Sequence, residues 1–440
     1  MKLLKGRSNY QCHRFEHCGN CYLSGKEKCK DCTYTYARNT ALNSPMSTLN
    51  IAYFLTSCNY TNFYEESIPR NIIIDEADEL DTILTNFISF EFTKNRLDWL
   101  GLSSLSMPNH KTVISEVAPW LKSLLQLSMN EHINISGTVK DIMEEIHRGG
   151  SLDKHDKDIL NRYRVLSQLI KKLEFLTTQE FTKDSWVYYY DDKLNKVTLK
   201  PIWLNRDLTN RFLFNYGLRF LFMSATLPPH PVLARTLGLE PRELDYFECD
   251  SSFPIESRKI MIAPKYILGR KHEIDEQVIR NSVYDILRAH PRDKGIIHCV
   301  SYKLANIIRP VSPRLIIHNG QDKNNCYEDF INSSNKVFVS PSSIRGLDLH
   351  DDLARFVVFL KVPFPDLSDI MTSARAYSAY GDIWYSSQTI QAIVQGAGRG
   401  MRHEKDYCVT YILDGQIVRL LKSKSSLFPK WFREAIYFKD

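Results

Sequence analysis

The sequence predicts an α/β protein whose parallel strands are buried on both faces. Short β-branched or aromatic runs recur along the chain and end in polar residues, and amphipathic segments lie between several of them. With 440 residues, the chain also exceeds the usual size of a single core. These observations predict an α/β architecture of two or three domains.

The predicted strands are continuous apolar runs without polar alternation, as buried parallel strands require. The first two are NIIID, ending at Asp75, and FLFMSAT, which reaches Ser224. The later runs are GIIHCVS, RLIIH, KVFVS, RFVVFL and YCVTYIL. Ligands of open parallel sheets bind at the carboxyl ends of the strands, so the polar residues that end these runs are the candidates for chemistry.

Two kinds of helical segment accompany the strands. EIDEQVIRNSVYDILRAH lies between strand runs, whereas residues 91–200 are predicted to be a largely helical insertion. Apolar residues at three-to-four spacing predict an amphipathic helix in this insertion: Ile159, Tyr163, Leu166, Ile170 and Leu173. The insertion is expected to close with a hairpin, WVYYYDDKLNKVTLKPIW, around the turn-prone DDKLN.

The bulk composition narrows the class of protein without deciding it. A hydrophobic content of 43%, a charged content of 25% and a net charge of +6 permit a nucleic-acid partner but equally describe an ordinary, slightly basic surface. No apolar run is long enough for a signal peptide or a membrane span. We therefore expect a cytoplasmic protein without a membrane partner, whose thiols stay reduced.

Half of the ten cysteines lie in the first 32 residues, in CHRFEHCGNCYLSGKEKCKDC. Reduced thiols make disulfides the least expected explanation. Two C-x₂-C pairs, Cys18–Cys21 and Cys29–Cys32, suit a four-thiolate zinc site, and an iron–sulfur cluster fits the spacing equally well. His13 and His17 could also bind a metal, although a surface position is the simpler interpretation.

Two strand ends carry residues suited to phosphate chemistry. In IIIDEAD, Asp75 can hold Mg²⁺ and Glu76 can orient or deprotonate a water, although any strand may end in Asp-Glu. MSATL, from Met223 to Leu227, supplies small hydroxyl residues that could transmit the state of a nucleotide, or simply cap a strand.

QAIVQGAGRGMRHEKD is the most specific element. On a helix, Gln395, Arg399 and Arg402 lie on one face, without interspersed acids. Two planar cations on one face can stabilise a triphosphate, as an arginine finger does.

The order of these motifs resembles a known family. DEAD, SAT, IIHCVSY, PSSIRGLDLHDD and QGAGRGMR follow the order of motifs II to VI in superfamily 2 helicases. The upstream cysteines and the helical insertion make the chain similar to the iron–sulfur helicases of the XPD/DinG type. LLKGRSNYQC, CTYTYAR, DIWYSSQTIQAIVQGAGRGMR and YILD, ending at Asp414, also fit this family, and the resemblance covers nearly the whole chain.

The resemblance implies two RecA-like domains, the first of them incomplete, with two insertions. The implied domains are a first RecA-like domain over 1–10, 39–90 and 201–230, a cluster domain over 11–38, a helical arch-like domain over 91–200 and a second RecA-like domain over 231–440. It also implies ATP-driven unwinding, moving 5′ to 3′ on single-stranded and forked DNA.

The resemblance further implies the roles of individual residues. A [4Fe–4S] cluster would bind Cys12, Cys18, Cys21 and Cys32, with Cys29 as the spare thiol and zinc as the alternative. Asp75 would hold Mg²⁺, Glu76 would activate water, and Arg399 and Arg402 would stabilise the transferring phosphoryl group of ATP. The residues expected at the nucleotide, or coupling it to DNA, are Gln395, Gly398, Gly346 and Asp348.

The P-loop G-x-x-x-x-G-K-[ST] that such motors need does not occur in these 440 residues. The Gly25-Lys26 pair is followed by Glu, and the family has its P-loop upstream of LKGRSNY. We expect a separate polypeptide carrying the P-loop, a truncated reading frame, or loss of ATP hydrolysis. The rival functions are a non-catalytic nucleic-acid-binding subunit and, less favoured, a nuclease remnant.

Overall fold

The computed structural model describes residues 1–12, 17–21, 31–61, 68–148, 150–269, 275–318, 320–341, 349, 351–403 and 405–439. The chain divides into two compact units. The first unit comprises residues 1–223 and 236–239, and the second comprises 224–235 and 240–440.

The second unit is built on a seven-stranded sheet in the described part of the chain. Its strands are β8 (Ile260–Tyr266), β9 (Gly295–His298), β10 (Leu315–Ile317), β11 (Val337–Ser340), β12 (Phe356–Phe359), β13 (Val409–Asp414) and β14 (Ile436–Phe438). The strand order is β10-β11-β9-β12-β13-β8-β14, and every pairing is parallel. The predicted α/β class and parallel sheet are thus confirmed.

Helices cover both faces of this sheet. The helices described in this unit are α8 (His230–Thr236, whose last residue belongs to the first unit), α9 (Glu276–Ala289), α10 (Tyr302–Ile308), α11 (Lys323–Asn332), α12 (Ile370–Ala376), α13 (Gly381–Gly398), α14 (Gln416–Ser423) and α15 (Lys430–Glu434). One core packs α9 and α10 against β9, β11 and β12, and a second packs α13, α14 and α15 against β8, β12 and β13. Every residue of β11 and β12 is buried, as the apolar runs predicted.

The first unit contains a small parallel sheet of two strands, β3 (Asn71–Ile74) and β7 (Arg219–Phe222), in its described residues. Ile73 pairs in register with Leu221. Their side chains are 58% and 53% exposed, so one face of the apolar pair is largely uncovered. These strands therefore differ from the doubly buried strands of the second unit.

The helical insertion is confirmed, and it also contains a three-stranded antiparallel sheet. Within residues 91–200 the helices are α4 (Lys94–Trp99), α5 (Ile114–His147) and α6 (Lys154–Leu176), whereas α3 (Leu80–Ile88) precedes this range and α7 (Arg206–Phe212) follows it. The predicted hairpin is formed by β5 (Trp186–Asp191) and β6 (Lys196–Pro201), and Asn195 turns it with a φ of 48°. The unpredicted strand β4 (Phe90–Thr93) pairs with β6.

The N-terminal part of the first unit holds the cysteine segment between β1 (Lys2–Leu4) and helix α1 (Thr33–Leu42). Strand β1 pairs in parallel with β2 (Ser47–Leu49), which leads into α2 (Ile51–Tyr60). Leu4, Tyr34 and Ala41 form a small core around the Cys18 and Cys32 side chains.

Candidate functional site

Asp75 and Glu76 directly follow β3 and are both exposed. The Asp75 carboxylate accepts a hydrogen bond from the Glu76 backbone N–H at 2.9 Å. Glu76 has left-handed backbone angles, with a φ of 50°, which cost free energy for a residue other than glycine. The Ala77 N–H donates to the Met223 carbonyl at 3.0 Å, which fixes this turn against the end of β7.

Helix α13 carries the first part of the QGAGRG motif and ends at Gly398, with Arg399 as its C-terminal cap. Arg399 is half-buried, whereas Arg402 is exposed and lies beyond the helix. The prediction that Gln395, Arg399 and Arg402 share one helical face is therefore wrong for Arg402. Glycines at positions 398 and 400 flank Arg399, and their low helix propensity favours the end of the helix here.

Asp406 fixes the backbone of this loop, and the sequence reasoning missed it. Its buried carboxylate accepts hydrogen bonds from the backbone N–H groups of Arg402, at 3.1 Å, and Tyr407, at 3.2 Å. The Arg355 guanidinium also donates to Asp406. Arg355 in addition binds Asp352, with atoms 2.8 Å apart, and stacks over the Tyr407 ring at 4.4 Å. A carboxylate four residues after Arg402 was the available sequence signal.

His298, at the end of β9, packs directly beneath α13. Its ring stacks on Phe359 at 4.6 Å, and a Cβ added at Gly396 would lie 3.2 Å from the histidine Nε2 and 2.5 Å from the Phe359 ring. Burial, with a contribution from the Arg399 charge, lowers the pKa of His298 to about 3. The imidazole is therefore neutral at physiological pH and adds no charge beside the Arg399 cation.

The segment that follows His298 is strained. Val300 has a φ of 61°, which is rare for a β-branched residue and recurs at functional strand ends. The Cys299 N–H and thiol both approach the Ser340 carbonyl, at 3.0 and 3.2 Å, and join the ends of β9 and β11. Both ends lie at the carboxyl edge of the parallel sheet, where ligands of such folds bind.

The MSATL segment contacts α13 within the second unit. The Gln395 side-chain amide donates to the Thr226 hydroxyl at 3.0 Å, and the Gln391 amide donates to the Thr226 carbonyl at 3.2 Å. For Gly398, by contrast, no heavy atom of another described segment lies within 4 Å of the position where a Cβ would lie. The predicted residues Gly346 and Asp348 lie outside the described residues.

Cys18 and Cys32 come together in the cysteine segment. Their sulfur atoms lie 4.0 Å apart, and Cys12 packs against the same apolar cluster. Cys32 caps α1, and its sulfur accepts a hydrogen bond from the Thr35 N–H. Burial raises the pKa of Cys32, but hydrogen bonds from Thr35 and Cys18 lower it by more, so the net shift is downward. A lowered pKa favours the thiolate, which is the form that binds metals.

Cys21 packs elsewhere, in an apolar cluster with Ile142 and Ile146 of α5 and Leu160 of α6. Within the described residues, no three cysteine, histidine or acidic side chains form a group that could hold a metal ion. Cys29 and His13 lie outside the described residues, and His17 is half-buried. Among the described thiols, only Cys18 and Cys32 come close together, and Cys12 packs against the same cluster without completing a three-ligand group.

Among the residues that the structure describes, no helix combines the length and the apolar character needed to cross a membrane. Residues 281–435, which contain α13 and the loop fixed by Asp406, match the model of the helicase C-terminal domain. This region of the chain is therefore similar to the C-terminal domain of helicases. Helicases of this class use ATP and Mg²⁺, which is the cofactor set predicted from the motifs.

Two curated relatives support this placement. A "Regulator of telomere elongation helicase 1 homolog" from Caenorhabditis elegans is 27% identical over 22% of this chain and 11% of that protein. "ATP-dependent DNA helicase CHL1" from Saccharomyces cerevisiae (strain YJM789) is 20% identical over 92% of this chain and 57% of that protein. The chain thus covers less than two thirds of either relative.

The fold has a counterpart among solved structures. The structure named "XPD_APO" has a TM-score of 0.51 and 14% sequence identity, over 92% of this chain and 84% of that one. This likeness supports the predicted RecA-like α/β architecture.

Proposed function

We propose that the chain acts as an ATP-dependent DNA helicase that moves 5′ to 3′ on single-stranded DNA and opens forked DNA. The observation that carries the proposal is the loop from Arg399 to Asp406, which lies inside the region that matches helicase C-terminal domains. Arg399 caps α13, and Asp406 holds the Arg402 backbone. Two cations on a backbone held in this way are suited to a developing phosphoryl charge.

The first unit would supply the hydrolytic carboxylates. Asp75 would hold Mg²⁺, which neutralises phosphate charge when bound, and Glu76 would take the proton of the attacking water. Gln395 and Gly398 would line the nucleotide site, and Gly346 and Asp348 would couple it to DNA. The same proposal includes the domain boundaries that the resemblance implies. It also includes a role in DNA repair or replication in the cytoplasm.

A P-loop outside residues 1–440 is the second part of the proposal. A separate polypeptide carrying the P-loop would complete the first RecA-like domain by covering the exposed face of β3 and β7. The 58% and 53% exposure of Ile73 and Leu221 supports this, because strands of such domains are otherwise buried on both faces. Without that segment, the chain would be a non-catalytic remnant that binds nucleic acid.

The experiment is to measure DNA-stimulated ATP hydrolysis by the 440-residue chain alone and with the family's P-loop segment added or fused. The chain alone should hydrolyse negligible ATP, because orienting the phosphates is worth roughly 7–11 kcal/mol. Adding the segment should restore turnover, and Glu76→Gln or Arg399→Ala should abolish it. Brisk hydrolysis by the chain alone, stopped by Glu76→Gln, would contradict the second part of the proposal.

The metal centre is proposed as a [4Fe–4S] cluster on Cys12, Cys18, Cys21 and Cys32, with Cys29 as the spare thiol. The approach of Cys18 and Cys32 to 4.0 Å supports a shared metal centre, but it also suits a tetrahedral zinc site. Protein purified without oxygen should be brown and contain about four irons per chain. A colourless protein with stoichiometric zinc would favour the alternative.

A further inference from the structure

A cavity of about 330 Å³ opens in the first unit near the ends of α2, α6 and α7. Its volume lies within the roughly 300–1,000 Å³ typical of ligand sites. Among the residues that the structure describes, three cations, Lys171, Lys172 and Arg211, line this cavity together with one carboxylate, Glu174. These described charged groups have a positive net charge.

Lys172 is the most buried of the three cations. Its ammonium donates to the Phe87 carbonyl at 3.4 Å and to the Ser89 carbonyl, which leaves one of its three N–H donors for a ligand. Burial lowers its pKa to about 8, the neighbouring Arg96 lowers it further, and Glu91 opposes the shift. An anion in the cavity would relieve the cost of this partly buried charge.

Lys171 and Arg211 are exposed at the edge of the cavity. The Arg211 guanidinium lies over the Phe175 ring, 4.8 Å from its centroid, and this stacking restricts the side chain. Neither Lys171 nor Arg211 forms an ion pair with any residue that the structure describes. Both cations can therefore bind an anion without breaking such a pair.

The amide and phenol groups of the cavity support its shape. The Asn59 amide donates to the Leu55 and Phe212 carbonyls, at 2.9 and 3.1 Å, and accepts from the Tyr216 hydroxyl at 3.1 Å. These bonds tie α2 to the end of α7 and to the segment that follows it. The cations thus face a cavity whose walls are fixed by hydrogen bonds.

We propose that this cavity binds a phosphate group, held by Lys171 and Arg211 at the edge and by the remaining donor of Lys172. The phosphate belongs either to the backbone of single-stranded DNA or to a free nucleotide. Both sources present the same tetrahedral anion, which guanidinium and ammonium groups recognise. The proposal rests on the proposed function only in naming DNA as one source.

The test measures binding of inorganic pyrophosphate, by calorimetry, and of a short labelled oligothymidylate, by fluorescence anisotropy, to the full chain. The double variant Lys171→Gln/Arg211→Gln should bind the phosphate source about tenfold more weakly or worse, because it loses charge-assisted hydrogen bonds. The control Lys140→Gln/Lys157→Gln removes the same charge from exposed positions on α5 and α6 and should retain affinity. Arg211→Lys, which keeps the charge, should retain most of the binding.

The possible outcomes distinguish the two sources of phosphate, and they distinguish the phosphate-site proposal from the proposed helicase function. Weaker binding of oligothymidylate alone assigns the cavity to the DNA backbone, and weaker binding of pyrophosphate alone assigns it to a free nucleotide. If the chain binds pyrophosphate through the cavity but no oligothymidylate, the DNA proposal fails and the phosphate site stands. Equal affinities of the cavity variant and the control for both probes, or no binding of either probe by the unaltered chain, would overturn the inference.

Discussion

Replacing Asp406 with asparagine should destabilise the second unit by about 3 kcal/mol, the lower end of the effect of breaking a buried ion pair. The Asp406 side chain is fully buried and accepts hydrogen bonds from Arg355, Arg402 and Tyr407. Asparagine keeps one acceptor oxygen but loses the charge that neutralises Arg355. Asp352 still pairs with Arg355, which limits the loss.

The control variant changes Asp352, the second carboxylate that pairs with Arg355. Asp352 is 91% exposed, so Asp352→Asn should cost at most about 1 kcal/mol. Urea unfolding of the full chain, followed by circular dichroism, measures both variants. Equal losses for the two variants would refute the assignment of Asp406 as the buried anchor of this loop.

Limited trypsin digestion tests the positioning of Arg402 apart from global stability. Asp406 holds the Arg402 N–H, so Asp406→Asn should speed native-state cleavage after Arg402, whereas Asp352→Asn should not. Mass spectrometry identifies the cleaved bond. Unchanged cleavage at Arg402 in a folded Asp406→Asn variant would show that the loop is fixed by other contacts.

Three further predictions concern other parts of the chain. The free energy of unfolding of Glu76→Gly should exceed that of Glu76→Ala by about 1 kcal/mol, because glycine adopts the left-handed backbone angles without strain. An alanine variant at least as stable as the glycine variant would contradict this. Gly396→Ala should cost about 1–3 kcal/mol by overpacking, whereas Gly398→Ala, near whose Cβ position no other described segment lies, should not; equal midpoints of unfolding would disprove the close packing. Since the pKa of Lys172 falls to about 8 on folding, the folded state loses its proton first and stability rises with pH. Between about pH 8 and pH 10.5, the free energy of unfolding of the unaltered chain should therefore rise by on the order of 3 kcal/mol relative to that of Lys172→Met. A difference between the two proteins that does not change with pH would argue against the shift of the Lys172 pKa.

The doubly buried strands of the second unit were predictable because their sequence signal is local. VFVS and FVVF are apolar at every position, and only burial on both faces favours such runs. Strand β8 escaped prediction because Pro264 and Lys265 interrupt its apolar pattern. Strand β14 has three residues at the edge of the sheet, too few for a periodicity to appear.

The pairs that organise the candidate site could not be predicted from periodicity. Arg355 and Asp406 are 51 positions apart, and only the pairing of β12 with β13 brings their flanking segments together. The two-residue gap between Cys18 and Cys21 suggested a shared metal ion. The structure instead packs Cys21 against α5 and α6, because burial of an apolar thiol depends on distant helices as well as on local spacing.

Motif positions were predictable, but the backbone conformation at those positions was not. Glu76 and Val300 both follow parallel strands within the predicted motifs, and both have left-handed backbone angles that their side chains disfavour. Local propensity would place glycine at such positions, so the sequence offered no sign of the strain. The surrounding hydrogen bonds hold each turn: Ala77 donates to Met223 near the first, and Cys299 donates to Ser340 near the second. The strain therefore falls at the ends of two parallel strands, where the chain leaves regular structure.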